Sequence, residues 1–288
     1  MTGAEQGLLL LTSVLGDSDR KPLTVAQFRT LTQRVRQSVP SHENRELQTD
    51  DLVKLGYDEE FACRVLTLLC EKEKLYNYVQ KASQFDCYPI TRRAEHYPDT
   101  LRKILGDEAP GSLWAKGDMS ILNLPGVALV GSRNLLDANK AFAYEVGKQA
   151  ALHGLVLISG NARGADCVAQ ESALAHGGKV ISIIADSLKK CPVRKNIIYL
   201  SEDGFDMPFS AQRALFRNRL IHAMGEKVFV AQCNLYKGGT WSGTVKNLQQ
   251  GKRAVFCFAD GSDAVSELVQ KGARAIGADK LAACIEEK

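Results

Sequence analysis

The 288-residue sequence lacks most of the features that would make its role readable at once. No apolar run approaches the roughly 18 to 20 residues of a membrane helix. The longest early run, Leu8-Leu9-Leu10-Leu11, follows Glu5 and has no basic leader. Neither a membrane span nor a secretion signal is expected, and the chain reads as cytoplasmic. Eight cysteines are present, but none form a Cys-x-x-Cys pair, and the five histidines do not cluster with them at zinc-like spacing. Reduced, buried cysteines and no metal are expected. Gly-x-Gly-x-x-Gly after the first buried strand is absent, as is the Walker-A lysine loop. That sets aside a dinucleotide dehydrogenase and a P-loop ATPase, and no cofactor is expected. Repeats and low-complexity tracts are also missing.

What is present is ordinary globular composition, 45% hydrophobic and 24% charged. The net charge of +4 is unevenly spread. Residues 1–120 carry 16 Lys/Arg against 18 Asp/Glu, and residues 121–288 carry 21 against 15. The positive excess of the second part suits a polyanionic ligand without requiring one.

Residues 1–83 read as a small helical domain. Leu8–Leu15 is a short apolar helix candidate ended by Gly16-Asp17-Ser18-Asp19. Thr24 precedes Val25, Phe28, Leu31 and Val35, the stripe of an amphipathic helix that Pro40 should stop. Asp50 is placed to cap a helix through Leu55, with Gly56 at its end. Asp58 opens a longer one with Phe61, Val65, Leu68, Leu69, Leu75 and Val79 inward. Residues 84–126 hold Pro89, Pro98, Pro110 and Pro125, and read as a connector and the start of an α/β domain that fills 127–288.

From Val127 onward, short apolar runs alternate with helical patterns. The strands are Val127–Val130, Leu155–Ile158, Val180–Ile184, Ile197–Leu200, Val228–Ala231 and Ala254–Phe258. Helices fall at Ala138–His153, Asp166–His176, Ala211–Ala223 and Thr244–Gln250. Such alternation predicts right-handed crossovers and a doubly wound, mainly parallel sheet with strands buried on both faces.

Ligands of such sheets collect beyond the carboxyl ends of the strands. Here those ends carry Gly131-Ser132-Arg133, Ser159-Gly160-Asn161-Ala162-Arg163-Gly164 and Gly238-Gly239-Thr240-Trp241-Ser242-Gly243-Thr244. Glycine admits a ligand to the backbone, hydroxyls donate, and arginine forks onto phosphate oxygens. The candidate phosphate-binding residues are therefore Gly131, Ser132, Arg133, Ser159, Gly160, Arg163, Gly164, Ser242, Gly243 and Thr244. The helical segment Phe216-Arg217-Asn218-Arg219 adds Arg217, Asn218 and Arg219, and Lys189-Lys190 adds Lys190. A polyanion crossing several strand ends fits this spread better than a small metabolite. Trp241 is the candidate for stacking on a base. Asp166 and Glu202, the carboxylates near strand ends, read as a helix-start cap and a solvated loop residue, so no catalytic residue is assigned.

These segments, from Tyr88 to Ala273, resemble the DNA-processing protein A family (DprA, also called Smf). The resemblance runs through Tyr97-Pro98-Asp99-Thr100-Leu101-Arg102, Val130-Gly131-Ser132-Arg133, Ser159-Gly160-Asn161-Ala162-Arg163-Gly164-Ala165-Asp166 and Phe216-Arg217-Asn218-Arg219. It ends on Gln250-Gly251-Lys252-Arg253 and Gly272-Ala273. It implies an extended Rossmann-like domain that binds single-stranded DNA without catalytic turnover. It also implies a homodimer that helps load the recombinase RecA during DNA recombination and natural transformation, and a sterile-alpha-motif-like helical part. Phosphate contacts would fall on Ser132, Arg133, Ser159, Gly160 and the loop at Lys190. The sequence departs from the family at Ala169-Gln170, Ala185-Asp186-Ser187 and Cys191-Pro192, where the family has an alanine-histidine pair, a glycine-cysteine-glycine turn and a tyrosine-proline pair. Gly238-Gly239-Thr240 is also a partial echo of the Pro-Gly-Gly-x-Gly-Thr turn of nucleoside-monophosphate phosphoribohydrolases, so a nucleotide hydrolase or nucleotide sensor is the alternative reading. A protein-interaction module is a third.

Overall fold

A computed structural model describes residues 1–38 and 46–287. Helices α1 (Gly3–Thr12), α2 (Val25–Gln37), α3 (Thr49–Lys54), α4 (Glu59–Cys70) and α5 (Lys72–Ser83) come first. Thr24 caps α2 through the Gln27 N–H while the Gln27 side chain accepts from Thr24, a reciprocal capping box. Asp58 caps α4 by accepting from the Phe61 N–H at 2.7 Å. Pro40 lies outside the described residues. Three expectations shift. The first helix starts earlier, at Gly3, and ends at Thr12. Gln48 rather than Asp50 stands at the N-cap of α3. The long helix from Asp58 is two helices, because the chain turns at Glu71, whose carboxylate accepts at 2.5 Å from the buried Arg20.

Leu23, Phe28, Leu31, Leu52, Ala62, Val65 and Leu68 form a core of their own in this part. Helices α1 and α5 also dock on the remainder of the chain. Tyr78 packs edge-on against Trp114 and tilted on Phe205, and its hydroxyl donates to Asp206 at 2.7 Å.

The rest is one nine-stranded sheet in the order β1-β2-β6-β5-β4-β3-β7-β8-β9. The stretch read as a connector supplies β1 (Tyr88–Thr91), α6 (Asp99–Leu105) and β2 (Ser112–Gly117), the two strands forming an antiparallel edge. Then follow β3 (Gly126–Val130), α7 (Asp137–Leu152), β4 (Val156–Ser159), α8 (Ala165–Ala175), β5 (Lys179–Ile183) and β6 (Ile197–Ser201). After them come α9 (Ala211–Met224), β7 (Lys227–Val230), α10 (Gly238–Gln250), β8 (Ala254–Phe258), α11 (Asp263–Gln270), β9 (Arg274–Ile276) and α12 (Leu281–Glu286). From β6 to β9 all pairings across the sheet are parallel. The strands alternate their side chains between two cores: on β4, Leu157 joins one while Val156 and Ile158 join the other. This is the extended, doubly wound, Rossmann-like α/β fold with helices ahead of it.

The chain steps outward from β3 through β4 and β5 to β6. It then returns along α9 to place β7 on the other side of β3. Strand order reverses there, and loops leaving β3 and β7 part to open a crevice. Helix α10 begins at Gly238, six residues before the expected Thr244. Its glycine-rich first turn reads as loop, yet two long-range bonds hold it: Asn218 Nδ2 donates to the Gly239 carbonyl at 3.0 Å, and Thr240 Oγ1 donates to the Gly131 carbonyl at 3.0 Å.

Candidate anion-binding cleft

Two adjoining cavities, of about 450 and 400 Å³, run across the carboxyl ends of β5, β4, β3 and β7 and share Arg133, Ala162, Ala214 and Arg217. Together they form one cleft lined by Arg133, Arg163, Lys190, Arg217 and Lys237 against only two acids, Asp166 and Asp186. The first turn of α10 opens into it through Gly238, Gly239 and Thr240, so the positive end of a 13-residue helix adds to the side-chain charge.

Arg217 sits at the centre. It is 8% exposed, and its Nε and Nη1 have no hydrogen-bond partner among the described residues. Its guanidinium lies across Gly160, where a Cβ would fall 1.6 Å from Nη1, so only glycine leaves room for it. Asp166 is 3.9 Å away, too far for a hydrogen bond. The Asp166 carboxylate is occupied by the β4–α8 loop, accepting from the Ala162 N–H at 3.1 Å and from the Gly160 backbone. Burial pulls the Arg217 guanidinium down from its ordinary value, opposed by Asp166. Burial likewise pushes the Asp166 carboxyl up, opposed by Arg217. A cation desolvated without hydrogen-bond acceptors is costly, and an oxyanion entering the cleft would supply them.

Around this centre the expected residues divide. Gly131, Ser132, Arg133, Gly160, Arg163, Lys190, Arg217 and Asn218 all line the cleft. Gly164, at φ +91°, lets the β4–α8 loop lie against the Ser132 and Arg133 carbonyls and so joins the first two loops. Arg163 donates to Asn134 at 2.9 Å, and Lys190 is held by Asp186 at 2.9 and 3.0 Å. Ser159 is fully buried behind the loop, its hydroxyl accepting from Gln170 at 2.6 Å. Gln170 also reaches Ser182, which gives the residue at the departed histidine position a structural partner set.

Five expected residues lie elsewhere. Arg219 leaves α9 on another side and bonds Glu202, which is buried rather than solvated; burial raises the Glu202 carboxyl, opposed by Arg219. Ser242 and Gly243 line a separate groove between α9 and α10. Thr244 is fully buried. Trp241 is 7% exposed, packed in the core and edge-on to Tyr236, which leaves no free face for a base.

Three further residues belong here that carry no local signal in the sequence. Lys237 stands immediately before α10, a place evident only once the helix start is known. Phe209, 52% exposed, forms part of the cleft wall with the Arg133 guanidinium 5.9 Å from its ring centroid. Arg213, one turn before Arg217, bonds Asp203, Ser201 and the carbonyls of Ala185, Met207 and Pro208, fastening the loop that carries Phe209. Among the described residues no three His, Cys, Asp or Glu are grouped to hold a metal, and no helix is long and apolar enough to cross a membrane.

Fold and cleft together define an α/β protein with a cationic cleft at its topological switch point. Within that class, the chain belongs to the DNA recombination-mediator protein A family, whose model matches residues 89–287. It is 33% identical over 241 residues to the DNA processing protein DprA of Streptococcus pneumoniae, covering 76% of this chain and 83% of that one. A crystal structure of DprA from that species matches with a TM-score of 0.73 at 24% identity, over 98% of both chains. Identity to DprA of Bacillus subtilis is 29% over 199 residues, 64% of this chain and 66% of that protein's length. A structure of DNA processing protein A from Helicobacter pylori, described for its single-stranded DNA binding mode, matches with a TM-score of 0.58. It is 26% identical, and the match covers 71% of this chain and 96% of that one.

Proposed function

We propose that this protein binds single-stranded DNA through the strand-end cleft, gripping consecutive phosphates, and does so without turnover. The observation that carries this reading is Arg217, buried at the meeting point of both cavities with no hydrogen-bond partner on its Nε and Nη1, and with exposed Arg133 and Lys237 nearby. A cleft spanning four strand ends suits a chain of phosphates better than one. The Helicobacter pylori relative, described as binding single-stranded DNA, supports the choice of polyanion. The two acids in the cleft serve structure: Asp166 holds loop amides and Asp186 holds Lys190. This favours a binder over a nucleoside-monophosphate hydrolase. By family resemblance the strand is then handed to a RecA-type recombinase, in recombination or DNA uptake, by a homodimer.

The test is an anisotropy titration of a labelled oligonucleotide across a salt series. Affinity should fall steeply with salt, and Arg133→Ala should reduce the slope of log K against log salt by about 0.7, as expected for one lost phosphate contact on a single strand. Salt-independent binding, or release of free base from nucleoside monophosphates, would overturn the reading.

A further inference from the structure

The groove between α9 and α10 is not part of the strand-end cleft, yet it has the properties of a built site. It encloses about 150 Å³, room for several waters or for a flat ring in their place. Leu105, Leu215 and Phe216 give it apolar walls, and Phe216 is 48% exposed with the Arg219 guanidinium 4.1 Å from its ring centroid. Part of its polar lining is unsatisfied. His222 is 3% exposed, and both ring nitrogens are without partners. Asn247 is 4% exposed; its Nδ2 donates to the Arg253 carbonyl at 3.2 Å, but its Oδ1 has no partner. Arg219 Nη1 is unpaired as well. Buried polar atoms are ordinarily satisfied, so this many orphans around one groove points to a ligand rather than to packing. Gly243 keeps the way open, since a Cβ there would stand 3.3 Å from His222 Nε2.

The donor and acceptor pattern selects the ligand. Burial alone pushes the His222 imidazole down to about 4, so near neutrality it offers one donor and one acceptor. Asn247 Oδ1 accepts and Arg219 Nη1 donates. Apolar walls with mixed donors and acceptors suit the faces and edge of a nucleobase, while exposed Lys246, and Lys252 beside its partner Glu108 at 3.5 Å, lie on the lining to meet a phosphate. A bare anion would not need the apolar walls, and a hydrocarbon would leave the polar atoms unmet. We propose that the α9–α10 groove is a second site that takes one nucleobase against His222 and Asn247, with its phosphate at Lys246 and Lys252. Leu215 lines both this groove and the cleft, and α10 gives its first turn to one and its next two to the other. The base therefore comes either from a strand leaving the cleft, which rests on the function proposed above, or from a free nucleotide, which does not.

The experiment follows the imidazole of His222 by nitrogen NMR in the histidine-labelled protein, its signals assigned with His222→Gln. Each mononucleotide is added in turn, and then an oligonucleotide. The expected result is a saturable shift with at least one of these ligands, weakened three- to tenfold by Lys246→Ala, a surface change that spares the fold. A mononucleotide shift should survive Arg217→Ala. An oligonucleotide shift should weaken when an abasic unit replaces one nucleotide. If the oligonucleotide binds and no ligand moves His222, the groove proposal fails and the cleft reading stands. If only mononucleotides move it and no oligonucleotide binds, the cleft reading fails and the groove stands. A shift abolished by Arg217→Ala and indifferent to Lys246→Ala would be a relayed effect of the cleft and would overturn the proposal.

Discussion

Arg217 and Arg219 are two residues apart on α9, flank the same asparagine, and face different cavities. Positions i and i+2 do not share a helix face, so Arg217 reaches the strand-end cleft while Arg219 turns to the end of β6. There Glu202 neutralises it within the protein. Arg217 has no counter-charge within hydrogen-bonding distance. The two arginines thus differ in whether a carboxylate lies within hydrogen-bonding distance, not in charge or burial: the two side chains are 9% and 12% exposed.

That contrast is sharpest under truncation. Arg219→Ala leaves Glu202 buried and unpaired, and should lower folding stability by about 3–5 kcal/mol, read by urea denaturation. Arg217→Ala should cost less stability, because Asp166 keeps its bonds to loop amides. It should instead lower oligonucleotide affinity by about 2–5 kcal/mol, as removal of a buried charge contact does. If Arg219→Ala abolishes binding while the fold is intact, or Arg217→Ala leaves binding alone, the division between the two sides of α9 is wrong.

The groove side has its own signature in pH. His222 is pushed down to about 4 from the usual 6.5 by burial. Below pH 6.5 the unfolded chain takes up a proton that the folded chain refuses. The stabilisation that neutral His222 carries above pH 6.5 is therefore lost as pH falls towards 4, up to roughly 3 kcal/mol. Thermal unfolding of the wild type should show this slope, and His222→Gln should flatten it between those limits. An unchanged slope in the variant would mean that other groups carry the acid sensitivity.

How far the sequence carries depends on the range of the interaction. The parallel strands from Gly126 to Phe258 were legible because burial on both faces writes continuous apolar runs. Gly131, Ser132 and Arg133 were legible because strand ends with glycine are local signals. The early start of α10 was not, since Asn218 and Gly131, distant in sequence, hold its first turn. Nor was the partnering of Arg219, because Glu202 lies 17 residues away across a loop. Trp241 looked like a ligand-facing aromatic only while its segment read as loop. On a helix that begins at Gly238 the same residue turns inward to the core.

The aromatic that faces the cleft is Phe209, on the loop between β6 and α9. It shares its cavity with Cys191 and Pro192, where the sequence departs from the tyrosine-proline pair. Phe209 is half exposed and close to Arg133, so a base lying on its ring would leave the adjoining phosphate near that guanidinium. Phe209→Ala should lower oligonucleotide affinity by about 1–3 kcal/mol, the range for one lost base stack. It should leave the salt slope unchanged, because no phosphate contact is removed. Arg133→Ala should do the converse, flattening the slope. The pair of slopes separates stacking from charge within one cleft: if Phe209→Ala also flattens the slope, the ring acts by positioning Arg133 rather than by holding a base.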